Sequence, residues 1–515
     1  MPRWFNVAGP CNEADHYMLP AMRRLPRIAR LIERKSYFVL HAPRQVGKTT
    51  ALLALGHELT AAGRHVAVLL SVEVGAGFPN DTDAAELAIL DAWRDAARAR
   101  LPADLQPPPW PDSSPGRRIG AALNAWARAA PRPLVVFLDE IDALQGQPLI
   151  SILRQLRDGY PNRPKDFPSS LALVGLRDVR DYKADPTAGS SQSASPFNIK
   201  DASLTLRNFT ADEVRELYAQ HTADTGQVFT PTASARAFEL SGGHPWLVNA
   251  LAKEVVEELV EDPARAITDA DIDAAKEILL RRQDTHLDSL AERLREPRVR
   301  RIIEPILAGE ALPAVPEDDL RYVQDLGLVR AESGAGLVIA NPIYREAIPR
   351  SLASAAIASL PRIQPTWLTA DGDLDEARLL DAFLAFWRQH GEPLLTAAPY
   401  HEIAPHLVLM AFLHRVANGG GSIEREYAIG SGRMDLLVRY HGRAIALELK
   451  VWRDQEPDPL AQGLVQLDGY LAGLGLDSGW LVIFDRRSNT ARLADRTASS
   501  TATSPGARRI TVIRA

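Results

Sequence analysis

Two groups of residues in this 515-residue chain have types and spacing that could do chemistry. The first is Ala42-Pro43-Arg44-Gln45-Val46-Gly47-Lys48-Thr49-Thr50, which fits G-x-x-x-x-G-K-[ST] with Ala42 in place of the first glycine. Gly47 lets the backbone curl so that amide N–H groups face a phosphate at a helix N-terminus. Lys48 would reach the outer phosphates, Thr49 would offer its hydroxyl to Mg²⁺, and Thr50 extends the same helical turn. Alanine at position 42 needs only a negative φ, so this departure does not remove phosphate binding. Downstream, the apolar run 134–138 ends in Asp139-Glu140. Asp139 is expected in the metal shell and Glu140 is expected to orient an attacking water. Two adjacent acids just past a buried strand are costly unless a cation or hydrogen bonds compensate. Asp142 reads as a helix cap or surface acid.

The second group lies in two strand-like segments, 433–440 and 443–451, joined by His441-Gly442. A two-residue hairpin there pairs residues whose numbers sum to 883, which sets Asp435 opposite Glu448. Opposed residues have Cβ atoms roughly 5 Å apart, close enough for two carboxylates to share a divalent cation. Lys450 falls on the Glu448 face, while Ile445, Leu447 and Leu449 fill the other. Like charges directly opposed destabilise a sheet unless a metal joins them. Two carboxylates and a lysine suit metal-assisted phosphodiester hydrolysis, in which the cation polarises the phosphate and acidifies its bound water. An ordinary charged hairpin is the bland alternative.

Around these residues the sequence must build rigid elements. Apolar runs at 37–42, 65–70, 133–138 and 170–175 alternate with helical segments, the mark of a parallel sheet covered on both faces. After a Ser-rich stretch at 189–195, Thr210 and Glu213 form a capping box and helices dominate 210–290. Two helical segments and a Gly-containing hairpin at 328–339 make a winged-helix module of 291–352, followed by a linker at 353–370. Helices are expected near 374–390, 400–417 and 458–473, strands at 479–484 and 509–514, and a Ser/Thr-rich loop at 497–505.

Length alone asks for three or four domains. The 46% hydrophobic and 24% charged content is that of a folded chain, and 65 acids against 59 bases leave no bulk charge to attract nucleic acid or a membrane. Basic surface can only be local: residues 481–515 carry seven arginines against Asp485 and Asp495. Phosphate contact and a solvated surface are equally open uses of it. Cys11, the single cysteine, can form neither an intramolecular disulfide nor a Cys-based zinc site, and no apolar run reaches membrane-spanning length. The N-terminal residues lack the apolar stretch of a signal peptide, so the expectation is a cytoplasmic protein.

Over residues 5–350 the chain resembles the AAA-like and STAND-type P-loop ATPases. Residues 42–50 look like their Walker A, 135–140 like their Walker B, and Gly242-Gly243-His244-Pro245 like their Gly-x-Pro segment. The resemblance implies ATP and Mg²⁺ as cofactors, a helical lid whose Pro245 lies near the adenine, and Arg177 as a γ-phosphate sensor. It also implies Arg154 or Arg157 as a finger acting across a homo-oligomer interface. Over 371–515 the chain resembles the PD-(D/E)XK nuclease superfamily: Asp435, then Glu448-Leu449-Lys450 as E-x-K, with Glu402 upstream and Gln466 and Tyr470 as a Q-x-x-x-Y pair. Gln466 and Tyr470, four apart, project from one helical face. This resemblance implies a Mg²⁺ site, with Mn²⁺ as a second acceptable ion, held by Asp435 and Glu448.

The expected architecture is therefore α/β: a P-loop core at 1–195, a lid at 196–290, a winged helix at 291–352 and a nuclease-like domain at 371–515. The pairing implies an ATP-driven switch joined to a metal-dependent nuclease, with DNA favoured as partner and no membrane. Defence of a prokaryotic genome against phage or mobile elements is the use that such a pairing implies. A nucleotide-dependent signalling or assembly scaffold whose C-terminal domain binds nucleic acid without cutting is the competing reading.

Overall fold

The computed structural model describes the chain except residues 1–2, 177–196, 283–285, 287–289, 291, 309–311, 313, 333–335, 360–364, 398–403, 418–420, 430–431 and 489. At 21, 308, 353–359, 393–397, 404, 407, 414–417, 421–422, 424–429 and 432–435 it describes backbone alone. The chain divides into two compact units, one of 1–282 with 316–342 and one of 283–315 with 343–515.

In the first unit, β1 (Tyr37–His41), β2 (Val66–Ser71), β3 (Leu134–Asp139), β4 (Ser170–Gly175) and β5 (Ala202–Thr205) form a parallel sheet in the order β2-β3-β4-β1-β5. Successive side chains of a strand point to opposite faces, so continuous apolar runs supply two cores at once. Val39, Val68, Val136 and Leu173 pack on one face against helices Thr82–Arg100, Arg118–Ala129 and Gly146–Gly159. Phe38, Leu69, Phe137 and Ala172 pack on the other against helix Lys48–Ala61. This five-stranded parallel sheet, covered by helices on both faces, is the α/β arrangement expected from the four apolar runs. The short edge strand β5 has no counterpart among the expected elements.

Helices Ala211–Thr225, Pro231–Ser241, Pro245–Glu254 and Asp269–Arg282 follow. The expected capping box is present: Glu213 N donates to Thr210 Oγ1 at 3.2 Å and Thr210 N donates to Glu213 Oε2 at 2.8 Å. Helix Glu317–Asp325 precedes an antiparallel pair, β6 (Val329–Glu332) and β7 (Gly336–Ile339), and these belong to the first unit.

The second unit is built on a mixed six-stranded sheet, in the order β12-β13-β11-β10-β9-β8. β8 (Gly421–Ile429), β9 (Gly432–Tyr440) and β10 (Arg443–Trp452) form an antiparallel meander. Helix Leu460–Leu474 then crosses to β11 (Ser478–Asp485), which runs parallel to both β10 and β13 (Arg509–Arg514). Leu447, Leu449, Val482 and Phe484 pack on one face with Phe383, Trp387 and Phe412 of helices Glu376–Ala397 and Ala404–Ala417. Ala446, Leu481 and Ile483 pack on the other with Leu467 and Leu471 of helix Leu460–Leu474. The expected loop at 497–505 is instead β12 (Ala498–Thr503), an edge strand pairing antiparallel with β13. It is largely exposed and lacks an apolar face, so no hydrophobic alternation marks it.

Candidate functional site

The phosphate loop leaves β1 at Ala42 and enters helix Lys48–Ala61 through Gly47. Gly47 has φ +91° and Gln45 φ +57°, the left-handed conformations that curl the loop. Ala42 is fully buried and is not among the non-glycine residues with positive φ, so alanine fits its place. Lys48 is 9% exposed, and its Nζ donates to Ala42 O at 2.8 Å and Pro43 O at 2.9 Å. Burial pushes its pKa down, while Glu140, Asp142 and Asp139 pull it back up.

At the end of β3, Thr49 Oγ1 donates to Asp139 Oδ2 at 2.8 Å and Glu140 N donates to Asp139 Oδ1 at 3.0 Å. The two predicted metal-site oxygens thus stand side by side, and their chemistry suits Mg²⁺. Glu140 sits in the left-handed region at φ +56°. Burial first, then the charges of Asp142 and Asp139, raise its carboxyl above the ordinary range, against Lys48. Asp142 is neither a helix cap nor a free surface acid: its Oδ1 accepts from Leu176 N at 3.0 Å, tying the turn after β3 to the end of β4. Arg177 lies outside the described residues. Arg154 and Arg157 are exposed on helix Gly146–Gly159 and do not line the phosphate-loop cavity.

That cavity, of about 400 Å³, is lined by Arg44, Gln45, Val46, Gly47, Lys48, Thr49 and Thr50, by Glu140, by Pro245 and Trp246, and by an N-terminal segment. The segment is stitched to the site at both ends of the cavity: Trp246 Nε1 donates to Val7 O at 2.9 Å and Cys11 N donates to Thr50 Oγ1 at 3.1 Å. Nothing before residue 42 is marked by motif spacing. An aromatic-rich stretch ahead of the first strand, with Trp4, Phe5 and Tyr17, was the available signal. Arg24 is a second unmarked residue. Buried, it donates from Nη2 to Val46 O and from Nη1 to Arg207 O, each at 2.9 Å, and its guanidinium lies over the Phe209 ring. Desolvation lowers its pKa to about 10. Arg24 thus braces the back of the loop against the segment that follows β5.

The Gly-x-Pro segment is held just as closely. Gly243 has φ +69°, and a Cβ there would stand 2.1 Å from Phe209 O. Phe209 N donates to Gly243 O at 2.9 Å. His244 is buried beside the loop, and desolvation pushes its pKa down to about 4, with the Arg44 main chain opposing.

In the second unit, β9 and β10 pair from Tyr440–Arg443 to Leu436–Leu447 around the turn His441-Gly442. This is the expected register, and it stops one position short of Asp435 and Glu448. The Asp435 side chain lies outside the described residues, as does Glu402. Glu448 is 3% exposed, and Lys450 Nζ donates to its Oε1 at 2.7 Å. Both alternate with Ala446 onto the face covered by helix Leu460–Leu474. Gln466 and Tyr470 are half-buried on that helix, and the Gln466 Oε1 has no hydrogen-bond partner among the described residues. No group of three or more His, Cys, Asp or Glu that could hold a metal is found among the described residues.

Much of the C-terminal basic surplus is structural. Arg487 and Arg496 pair with Asp485, Arg508 with Asp468 and Arg514 with Asp458. Exposed Arg486, Arg492 and Arg509 have no ion pair among the described residues. No helix among the described residues is long and apolar enough to cross a membrane.

No protein-family model matches the chain, and no curated protein matches it. Among solved structures it is similar to the Walker-type ATPase paby2304 of Pyrococcus abyssi, at 15% identity and TM-score 0.47, covering 67% of this chain and 99% of that one. It is also similar to the RuvB Holliday junction branch migration motor of Thermotoga maritima, at 16% identity and TM-score 0.33, over 62% of this chain and 89% of the other. Cdc6p from Pyrobaculum aerophilum matches at 13% identity and TM-score 0.36, over 69% and 97%.

Proposed function

We propose that the chain is an ATP-binding and ATP-hydrolysing switch coupled to a metal-dependent nuclease acting on DNA. The observation that carries the first half is the cavity lined by residues 44–50 and Glu140, with Asp139 bonded to Thr49 at its edge. Lys48 and Thr49 hold the phosphates, and Thr49 and Asp139 are the residues that would hold Mg²⁺, which supplies charge neutralisation at the transferring phosphoryl group. Glu140, its proton affinity raised by burial and like charge, positions and deprotonates the attacking water. Arg177 as sensor, Arg154 or Arg157 as a finger from a second copy, and Pro245 beside the base belong to the same proposal.

The second half is supported by the ion pair of Glu448 and Lys450 on a buried sheet face, in the hairpin register that brings Asp435 next in line. Asp435 and Glu448 would hold Mg²⁺ or Mn²⁺, with Glu402, Gln466 and Tyr470 completing the centre. Lys450 would orient the attacking water or stabilise the charge that develops on the phosphate. Cleavage of plasmid DNA by the full chain with Mg²⁺ or Mn²⁺ tests this half. Cutting that disappears in Glu448→Ala is the expected result, and its absence under every metal and nucleotide condition would leave a binding scaffold instead.

A further inference from the structure

One polar atom of a residue that lines the nucleotide cavity is left unused by the protein itself. Asn249 lines the cavity, is 8% exposed, and lies in the first turns of helix Pro245–Glu254. Its Nδ2 donates to Pro245 O at 2.9 Å, which fixes the carboxamide so that Oδ1 is the end left over. That oxygen is buried and has no hydrogen-bond partner among the described residues. A buried polar atom without a partner is costly, so one on a residue that lines a cavity points to a ligand that satisfies it. Leu19, Phe209, Leu217, Pro245 and Trp246 supply apolar surface around this end, which suits a flat ring system.

We infer that Asn249 Oδ1 accepts a hydrogen bond from the exocyclic 6-amino group of the purine, which makes Asn249 the residue that selects adenine over 6-oxopurines. The inference rests on the nucleotide reading of the cavity. A carboxamide oxygen can only accept. The 6-amino group is a donor and satisfies Oδ1. A 6-oxo group would set one acceptor against another with no proton between them. Turning the amide over would relieve that clash but would place Oδ1 against Pro245 O, so the bond to Pro245 locks the preference in.

The test is calorimetric binding of ATP and inosine triphosphate to the full chain with Mg²⁺, since the two differ in the 6-substituent and the N1 proton that goes with it. The unsubstituted protein should bind ATP about 10- to 100-fold more tightly, the range expected when a buried acceptor is left unpaired. Asn249→Leu, similar in size but without the acceptor, should bring the two within about threefold. Equal affinities in the unsubstituted protein, or an unchanged ratio in the variant, would overturn the assignment. Should Asn249→Leu fail to fold, purine riboside triphosphate decides with the unsubstituted protein alone: it lacks the 6-amino group, so affinity equal to that of ATP contradicts the inference. Failure of every nucleotide to bind would be a different result, removing the nucleotide reading itself.

Discussion

Lys48 is a buried ammonium held by two carbonyl oxygens of its own loop, and Glu140 is a buried acid crowded by Asp142 and Asp139. Each is set by burial toward its uncharged form, and each regains its charge through the other and through ligands. Glu140→Gln should therefore keep ATP binding and lose turnover, by about 10²-fold or more if the residue acts as base. Single-turnover hydrolysis beside equilibrium binding measures both, and unchanged turnover would remove that role. His244 gives a pH prediction. Its folded pKa of about 4 lies below the unfolded 6.5, so on acidification the unfolded chain takes up a proton first. Stability is then lost as pH falls from 6.5 toward 4, by about 3 kcal/mol from this group. Urea unfolding across that range should show a smaller loss in His244→Gln. At this scale the sequence revealed the residues that share a motif. It hid Arg24 and Asn249, because their roles come from burial and no motif spacing encodes it.

Elements became legible wherever burial imposed a period. The four apolar runs of the first sheet and the helix caps Thr210 and Gly47 stood where the pattern placed them, because both sheet faces are covered and both caps satisfy backbone N–H groups or loop geometry. The hairpin register around His441-Gly442 was legible for the same reason: Ile445 and Leu447 alternate into one core. Strand β12 was not, since an exposed edge carries no hydrophobic alternation, and neither was the four-residue β5, in which Leu204 alone is buried. Gly243 shows a close approach that the sequence could only hint at. With φ +69° and Phe209 O where a Cβ would go, Gly243→Ala must displace the entry to helix Pro245–Glu254 or the Phe209 backbone. It should lower stability by about 1–3 kcal/mol and weaken ATP binding, because the same segment carries Pro245 and Trp246 to the cavity. Denaturant unfolding and calorimetry check this, and a neutral variant would mean the segment is looser than its contacts indicate.

At the scale of the whole molecule, two units each carry one group of candidate catalytic residues, on β-sheets of different construction. The first unit is a parallel sheet with its site at the strand ends, and the second a mixed sheet with Glu448 and Lys450 on a buried face. The near-neutral total charge conceals this arrangement, and most of the C-terminal arginines serve ion pairs within their own unit. A switch joined to an effector requires that nucleotide state alter what the second unit does. The most direct measurement is the rate of DNA cleavage by the full chain in Mg²⁺ or Mn²⁺, with and without ATP, in the unsubstituted protein and in Lys48→Ala. The account predicts that ATP changes the rate in the former and has no effect in the latter, with Glu448→Ala inactive throughout. A rate indifferent to ATP in the unsubstituted protein, or cutting that survives Glu448→Ala, would contradict it.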